Sequence, residues 1–109
     1  MGALTGVRVI DMSNVIAGPF AANLFADFGA DVIKLEMPGK GDSFRQMGPY
    51  SKDGKSIRWS SMSRNKKSIT LDLHFEEGKK IFLELVAKSD VIIENFRTGT
   101  LDKWGLDME

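Results

Sequence analysis

The chain has 109 residues, 42% of them hydrophobic and 28% charged, an ordinary balance for one folded domain and too apolar for general disorder. Lys plus Arg equals Asp plus Glu at 15 each, so no whole-molecule field selects a nucleic acid or an anionic membrane, and neither is expected as a partner. With no cysteine, one histidine (His74) and no apolar run near the ~20 residues of a membrane span, the composition excludes disulfides, thiolate chemistry and a Cys- or His-rich metal site; a cytoplasmic protein is expected.

Residues 7–12, "VRVIDM", read as a short buried strand. "GPFAANLFADFG" (18–29) carries apolar residues at 20, 21, 24, 25 and 28, the recurrence of a helix that turns those positions to a core. Pro19 suits its first position and Gly29 the left-handed residue after its last turn. "DVIKLEM" (31–37) supplies a second strand, completing a βαβ unit and hence a parallel sheet. Residues 38–67, rich in Gly, Ser and charge, are expected to form a long loop with one short helix. "SITLDL" (68–73) is the third strand, and "FEEGKKIFLELVAKS" (75–89) a helix with Ile81, Phe82, Leu85 and Val86 on one face and Glu76, Glu77 and Lys88 placed to suit its dipole. "DVIIENF" (90–96) is the fourth strand, and a short helix begins near Thr100. The expected fold class is therefore α/β: a Rossmann-like parallel sheet of about four strands with flanking helices.

In such a sheet, ligands bind outside the carboxyl ends of the strands. Glu36, Glu94, Asn95 and Phe96 fall there, with Asn95 as a donor and acceptor and Phe96 as an apolar wall. The alternative is that polar residues simply mark where each strand leaves the core. A dinucleotide is disfavoured, because the turn after the first strand reads "SNVIAGPF", with one usable glycine where a pyrophosphate fingerprint needs several. "SRNKKS" (63–68) places Arg64, Lys66 and Lys67 either as a phosphate grip or as solvated surface. Trp59 is either a base-stacking residue or core, and His74 a helix-entry residue. Asp31 and Asp90 read as residues that cap or turn the chain into strands and Asp11 as one that satisfies backbone groups at a strand end, and spacing alone names no catalytic set.

Four blocks in order, "LTGVRVIDMSNVIAGPF", "FGADVIKLEMPGKGD", "NKKSITLDL" and "SDVIIENFRTGTLDKWGL", resemble the N-terminal region of the class III CoA-transferases, the family of formyl-CoA transferase, carnitine CoA-transferase and α-methylacyl-CoA racemase. The resemblance covers essentially the whole chain. It implies that residues 1–109 are an N-terminal CoA-binding domain within a longer polypeptide whose two copies interlock as rings. It further implies coenzyme A as substrate or co-substrate, no metal, a CoA thioester and a small carboxylic acid as reactants, and a homo-oligomer. Transferases of the family use an aspartate nucleophile, and racemases an acid and a base; both lie beyond the part that matches this chain, so no catalytic residue is expected here.

Carried over one at a time, Val15, Ile16 and Ala17 match residues lining the CoA site, and Leu71 and His74 positions beside the adenine and ribose phosphate. Asn95 and Phe96 match a strand end facing CoA, and Thr100 and Lys103 the turn after it. Met37 departs from the Arg that several members carry after the glutamate, so one phosphate contact is either lost or supplied elsewhere, by Arg64, Lys66 or Arg97. A racemase fragment and a non-catalytic nucleotide-binding module are the alternative readings.

Overall fold

The computed structural model describes residues 2–107. Four strands, β1 (Arg8–Asp11), β2 (Asp31–Glu36), β3 (Lys66–Thr70) and β4 (Val91–Ile93), form one sheet in the order β3-β2-β1-β4. Every pairing is parallel. The helices are α1 (Ala17–Asp27), α2 (Ile57–Met62), α3 (Glu76–Val86) and α4 (Thr100–Lys103), and a 3-10 turn covers Ser43–Gln46. The α/β expectation holds. The chain builds outward from β1 through β2 to β3 and then crosses back to place β4 on β1's other side. That reversal puts the topological switch point between β1 and β4.

Strand alternation divides the core in two. Val9 and Val32 face α1 and pack with Ala22, Ala26 and Ala30, whereas Ile10, Met12 and Leu35 face the other way and pack with Leu73, Phe82 and Leu106. On the α1 face the apolar pairs give way, toward the carboxyl ends of the strands, to Asp11, Lys34 and Glu36, all buried. The 3-10 turn and α2 pack together and lie over that end of the α1 face, where the Asn23 amide of α1 faces Arg64, just beyond α2.

Several expectations change. In α1 the face toward the sheet is Gly18, Pro19, Ala22, Asn23 and Ala26, and Phe20, Leu24 and Phe28 point outward at 49%, 43% and 56% exposure. The large residues of that helix are not its core residues, because a helix lying close over a twisted sheet has room for alanine. Pro19 is the third helical residue, not the first. In α3, Phe82 is buried and Leu85 and Val86 pack beside it, but Ile81 is exposed. β3 starts at Lys66 and ends at Thr70, two residues earlier at its start than the pattern suggests. β4 is three residues long, so Glu94, Asn95 and Phe96 lie in the loop beyond it. Gly29 is left-handed, with φ of +100°, as expected after the last turn of α1.

Candidate ligand-binding edge

The loop from β1 into α1 is tied down by side chains from almost every neighbouring element. Asp11, at the end of β1, accepts from both the N–H and the hydroxyl of Ser13. Lys34 of β2 donates to the Ser13 carbonyl at 2.5 Å and to Asp42 Oδ2 at 2.9 Å. The other Asp42 oxygen, Oδ1, accepts the Val15 N–H at 3.0 Å and the Phe44 N–H at 2.9 Å. Lys66 of β3 donates to Asp11 Oδ2 at 2.8 Å and to the Pro19 carbonyl in the first turn of α1 at 2.9 Å. All four charged side chains of this network are at most 2% exposed. Two cations against two carboxylates leave no net buried charge, the condition under which such a cluster is tolerated.

Asn95 completes the clamp from beyond β4. Its side chain accepts from the Asn14 N–H and donates to the Asn14 carbonyl, both at 2.8 Å. The amide that the sequence suggested as a ligand's donor and acceptor is therefore engaged with the loop beside it, bridging the switch point between β1 and β4. Gly18 permits the close approach of α1, since a Cβ there would meet Ser13 Cβ at 2.1 Å. Of the expected loop residues, Val15 is half-buried while Ile16 and Ala17 are exposed at the mouth of α1. The first turn of α1 contains no acid to offset its positive end.

At the end of β2, Glu36 is buried and receives Arg45 Nε at 2.8 Å, Arg45 Nη2 on its other oxygen at 2.7 Å, and the Asp42 N–H at 2.7 Å. Burial pushes its carboxyl up, but the Arg45 guanidinium and the Asp42 N–H outweigh that and hold it below the ordinary glutamate value. Both oxygens of this carboxylate are engaged within the fold, which agrees with the argument against a dinucleotide. Arg45 in turn lies 4.1 Å from the centroid of the Trp59 ring, so the half-buried Trp59 serves as a platform for the cation.

The third wall carries His74, Phe96 and Trp104. The Trp104 ring meets His74 and Phe96 edge-on, at centroid distances of 5.4 Å and 5.3 Å. His74 Nδ1 lies 2.8 Å from Asp72 Oδ1. A carboxylate only accepts, so Nδ1 carries the proton and Nε2 is the nitrogen left for another partner. The His74 N–H and ring hold the Asp72 carboxyl below its usual range. Between these aromatic rings and the ends of β1 and β2 runs a crevice walled by Met12, Leu35, Met37, Leu73, Phe96 and Trp104, with Asn14 and Glu36 at its rim. A larger groove between α3 and the turn after α4, lined by Lys79, Leu83, Trp104 and Leu106, lies outside the strand ends and receives none of the switch-point loops.

The remaining expected residues are spread around this edge. Leu71 continues from β3, bonded through its N–H to the Glu36 carbonyl, and its side chain packs into the α3-face core. Thr100 and Lys103 sit on α4, which Gly99 enters at φ of +86°. The basic stretch divides: Arg64 and Lys67 remain largely exposed, as solvated surface, while the Lys66 side chain is buried, and all three are paired with carboxylates. Arg64 pairs with Asp27, Lys67 with Asp31, and Lys66 with Asp11 inside the protein. Asp90 does satisfy a backbone group, the Arg8 N–H at 2.8 Å.

Lys34, Asp42, Asn14 and Trp104 were missed in the sequence. A signal existed for the first: a lysine between Ile33 and Leu35, in a strand expected to be buried on both faces, requires a buried carboxylate. Among the described residues no group of three or more His, Asp or Glu could hold a metal. No helix among them is long and apolar enough to cross a membrane.

The family model for CoA-transferase family III matches residues 4–109. The chain belongs to that family. It is 54% identical to the succinyl-CoA–L-malate CoA-transferase beta subunit of Chloroflexus aurantiacus, over 94% of this chain and 25% of that protein. It is 45% identical to the acetyl-CoA:oxalate CoA-transferase of Acetobacter aceti, over 99% of this chain and 28% of that one. A CaiB/BaiF family protein from Brucella suis superposes with a TM-score of 0.86 at 42% identity, over 97% of this chain and 29% of that chain. The chain thus spans about a quarter of the length of the curated relatives it matches.

Proposed function

We propose that this chain forms the CoA-binding N-terminal part of a class III CoA-transferase, which moves CoA from a CoA thioester to a small carboxylic acid. Dicarboxylates of the kind named in the relatives are the acceptor class. What supports the reading is convergence: the loop of Val15, Ile16 and Ala17, His74, and the stretch from Asn95 to Trp104 come from three segments far apart in sequence and meet along one edge of one sheet. In this reading the open positive end of α1 faces the pyrophosphate, and the aromatic edge of His74, Phe96 and Trp104 meets the aromatic portion of the ligand. His74 Nε2 and Lys103 serve the adenosine phosphate. The family's aspartate chemistry belongs to sequence outside these residues, and this part contributes binding and orientation. We place the protein in the cytoplasm as a homo-oligomer, with the exposed apolar line of α1 in the contact between copies.

Calorimetric titration with CoA, dephospho-CoA and NADH tests the proposal. CoA should bind most tightly, dephospho-CoA more weakly and NADH least. Preference for NADH would overturn the reading in favour of a dinucleotide site, and heat from none of the three would show that these residues do not form a working site.

A further inference from the structure

We infer that Asp42 is the positioning residue of the CoA loop: its buried carboxylate holds Val15 in a left-handed backbone conformation and so sets the loop in its binding shape before any ligand arrives. The inference rests on the CoA reading of that loop and adds a residue that does not itself touch ligand.

Among the described residues, only Val15 and Asn65 combine a side chain with positive φ, at 68° and 61°. Asparagine tolerates that region, but a β-branched valine does not enter it without something to hold it there. The holding group is the Asp42 carboxylate. Asp42 is 1% exposed, and its Oδ1 accepts the Val15 N–H at 3.0 Å. The same oxygen accepts the Phe44 N–H at 2.9 Å, and the Lys34 ammonium fixes the other oxygen at 2.9 Å, so the carboxylate cannot turn away. The residue is locked from behind as well, because its own N–H is bound to Glu36 at 2.7 Å.

Before Val15 the loop is also held at Ser13, by Lys34 and Asp11, and at Asn14, by Asn95, and after it Lys66 holds the Pro19 carbonyl. Ile16 and Ala17, immediately after the strained residue, are the exposed positions offered to ligand. A strained residue held by a buried charge, next to the exposed part of a loop, is the arrangement expected where conformation is fixed in advance of binding.

The test is a cycle between Asp42→Ala and Val15→Gly in the full chain, read by CoA titration and by hydrogen exchange of residue 15's amide without ligand. Asp42→Ala should speed exchange at Val15 and weaken CoA binding by about tenfold, the scale of one hydrogen bond. Glycine takes the left-handed region freely. Val15→Gly should therefore recover part of the loss in the Asp42→Ala background, while weakening the binding of the otherwise native chain, where it frees a loop already held in shape. That reversal of sign is the expected result.

A purely structural Asp42 would give Val15→Gly the same effect in both backgrounds, and that outcome, or unchanged exchange at Val15, overturns the inference. Should Asp42→Ala not melt cooperatively, Asp42→Asn takes its place in the cycle. If the native chain fails to bind CoA, the proposed function fails, and the exchange measurement alone then decides whether Asp42 holds the loop.

Discussion

Glu36 and Lys66 are both buried ionised groups, and each makes stability rise with pH, Glu36 in an acidic window and Lys66 in an alkaline one. The folded pKa of Glu36 lies below its unfolded value, so in the interval between them the unfolded chain binds more protons. Its contribution is complete above the ordinary glutamate pKa of ~4.3 and is lost as pH falls through the lower folded value. Glu36→Gln should cost about 1–3 kcal/mol at neutral pH by weakening the grip on Arg45 and the Asp42 N–H. In urea unfolding, the gap between the variant and the native chain should close as pH drops below about 4; a gap of constant size would show that the charge is not what Glu36 contributes.

For Lys66, burial pushes the ammonium below the usual lysine range, and Asp11 only partly offsets it. The unfolded chain again binds the extra proton between the two values, so stability rises with pH as pH climbs through the folded value toward ~10.4. Lys66→Met should remove that alkaline rise, and a rise that survives the substitution would assign it to another group.

The helices show how small residues decide the packing. Ala22 is fully buried between α1 and the sheet, with Val9 and Val32 against it. Ala22→Leu should overpack that contact by about 1–3 kcal/mol and lower Tm by roughly 5–15 °C, whereas Leu24→Gln on the outer face should leave the monomer's Tm nearly unchanged. Equal shifts for the two would mean that α1 is not oriented as described. Gly78 supplies a sharper case. Replacing a helical glycine with alanine ordinarily stabilises by about 1 kcal/mol, but a Cβ at Gly78 would lie 2.1 Å from the Asp72 carbonyl oxygen. Gly78→Ala should therefore lower Tm, and a higher Tm would show that the start of α3 relaxes away from the β3 exit.

These same positions explain what the sequence made legible. Element order and type followed from period, glycines and β-branched runs, because those reflect local backbone preference. The inward face of α1 did not, because hydrophobic periodicity weights phenylalanine and leucine over alanine, while the space between helix and sheet selects for the small residue. The segments gathered at the candidate edge were legible from parallel topology, since it brings strand ends together wherever the chain wanders. The partners within that edge were not: Asp42 meets Val15 and Asn95 meets Asn14 across 27 and 81 residues of sequence, and no local pattern encodes such pairs.

At the scale of the molecule, a chain of formal net charge +0 carries a line of exposed apolar residues, Ile16, Phe20, Leu24 and Phe28, at 43–56% exposure along one side of α1. They recur every fourth residue, so they stack along one face of the helix, outside the β-sheet contact made by Ala22 and Ala26. Near zero net charge there is little repulsion between copies to oppose burial of such a line. Sedimentation equilibrium should then show concentration-dependent self-association, driven by apolar burial and hence strengthened by sulfate and only weakly reduced by added sodium chloride. The double substitution Phe20→Glu with Leu24→Lys places opposite charges one turn apart, where they support the helix while breaking the apolar line. It should shift the equilibrium to monomer with little change in Tm. Undiminished association of that variant would move the contact elsewhere, and the groove of Leu83, Trp104 and Leu106 beside α3 would be the next surface to substitute.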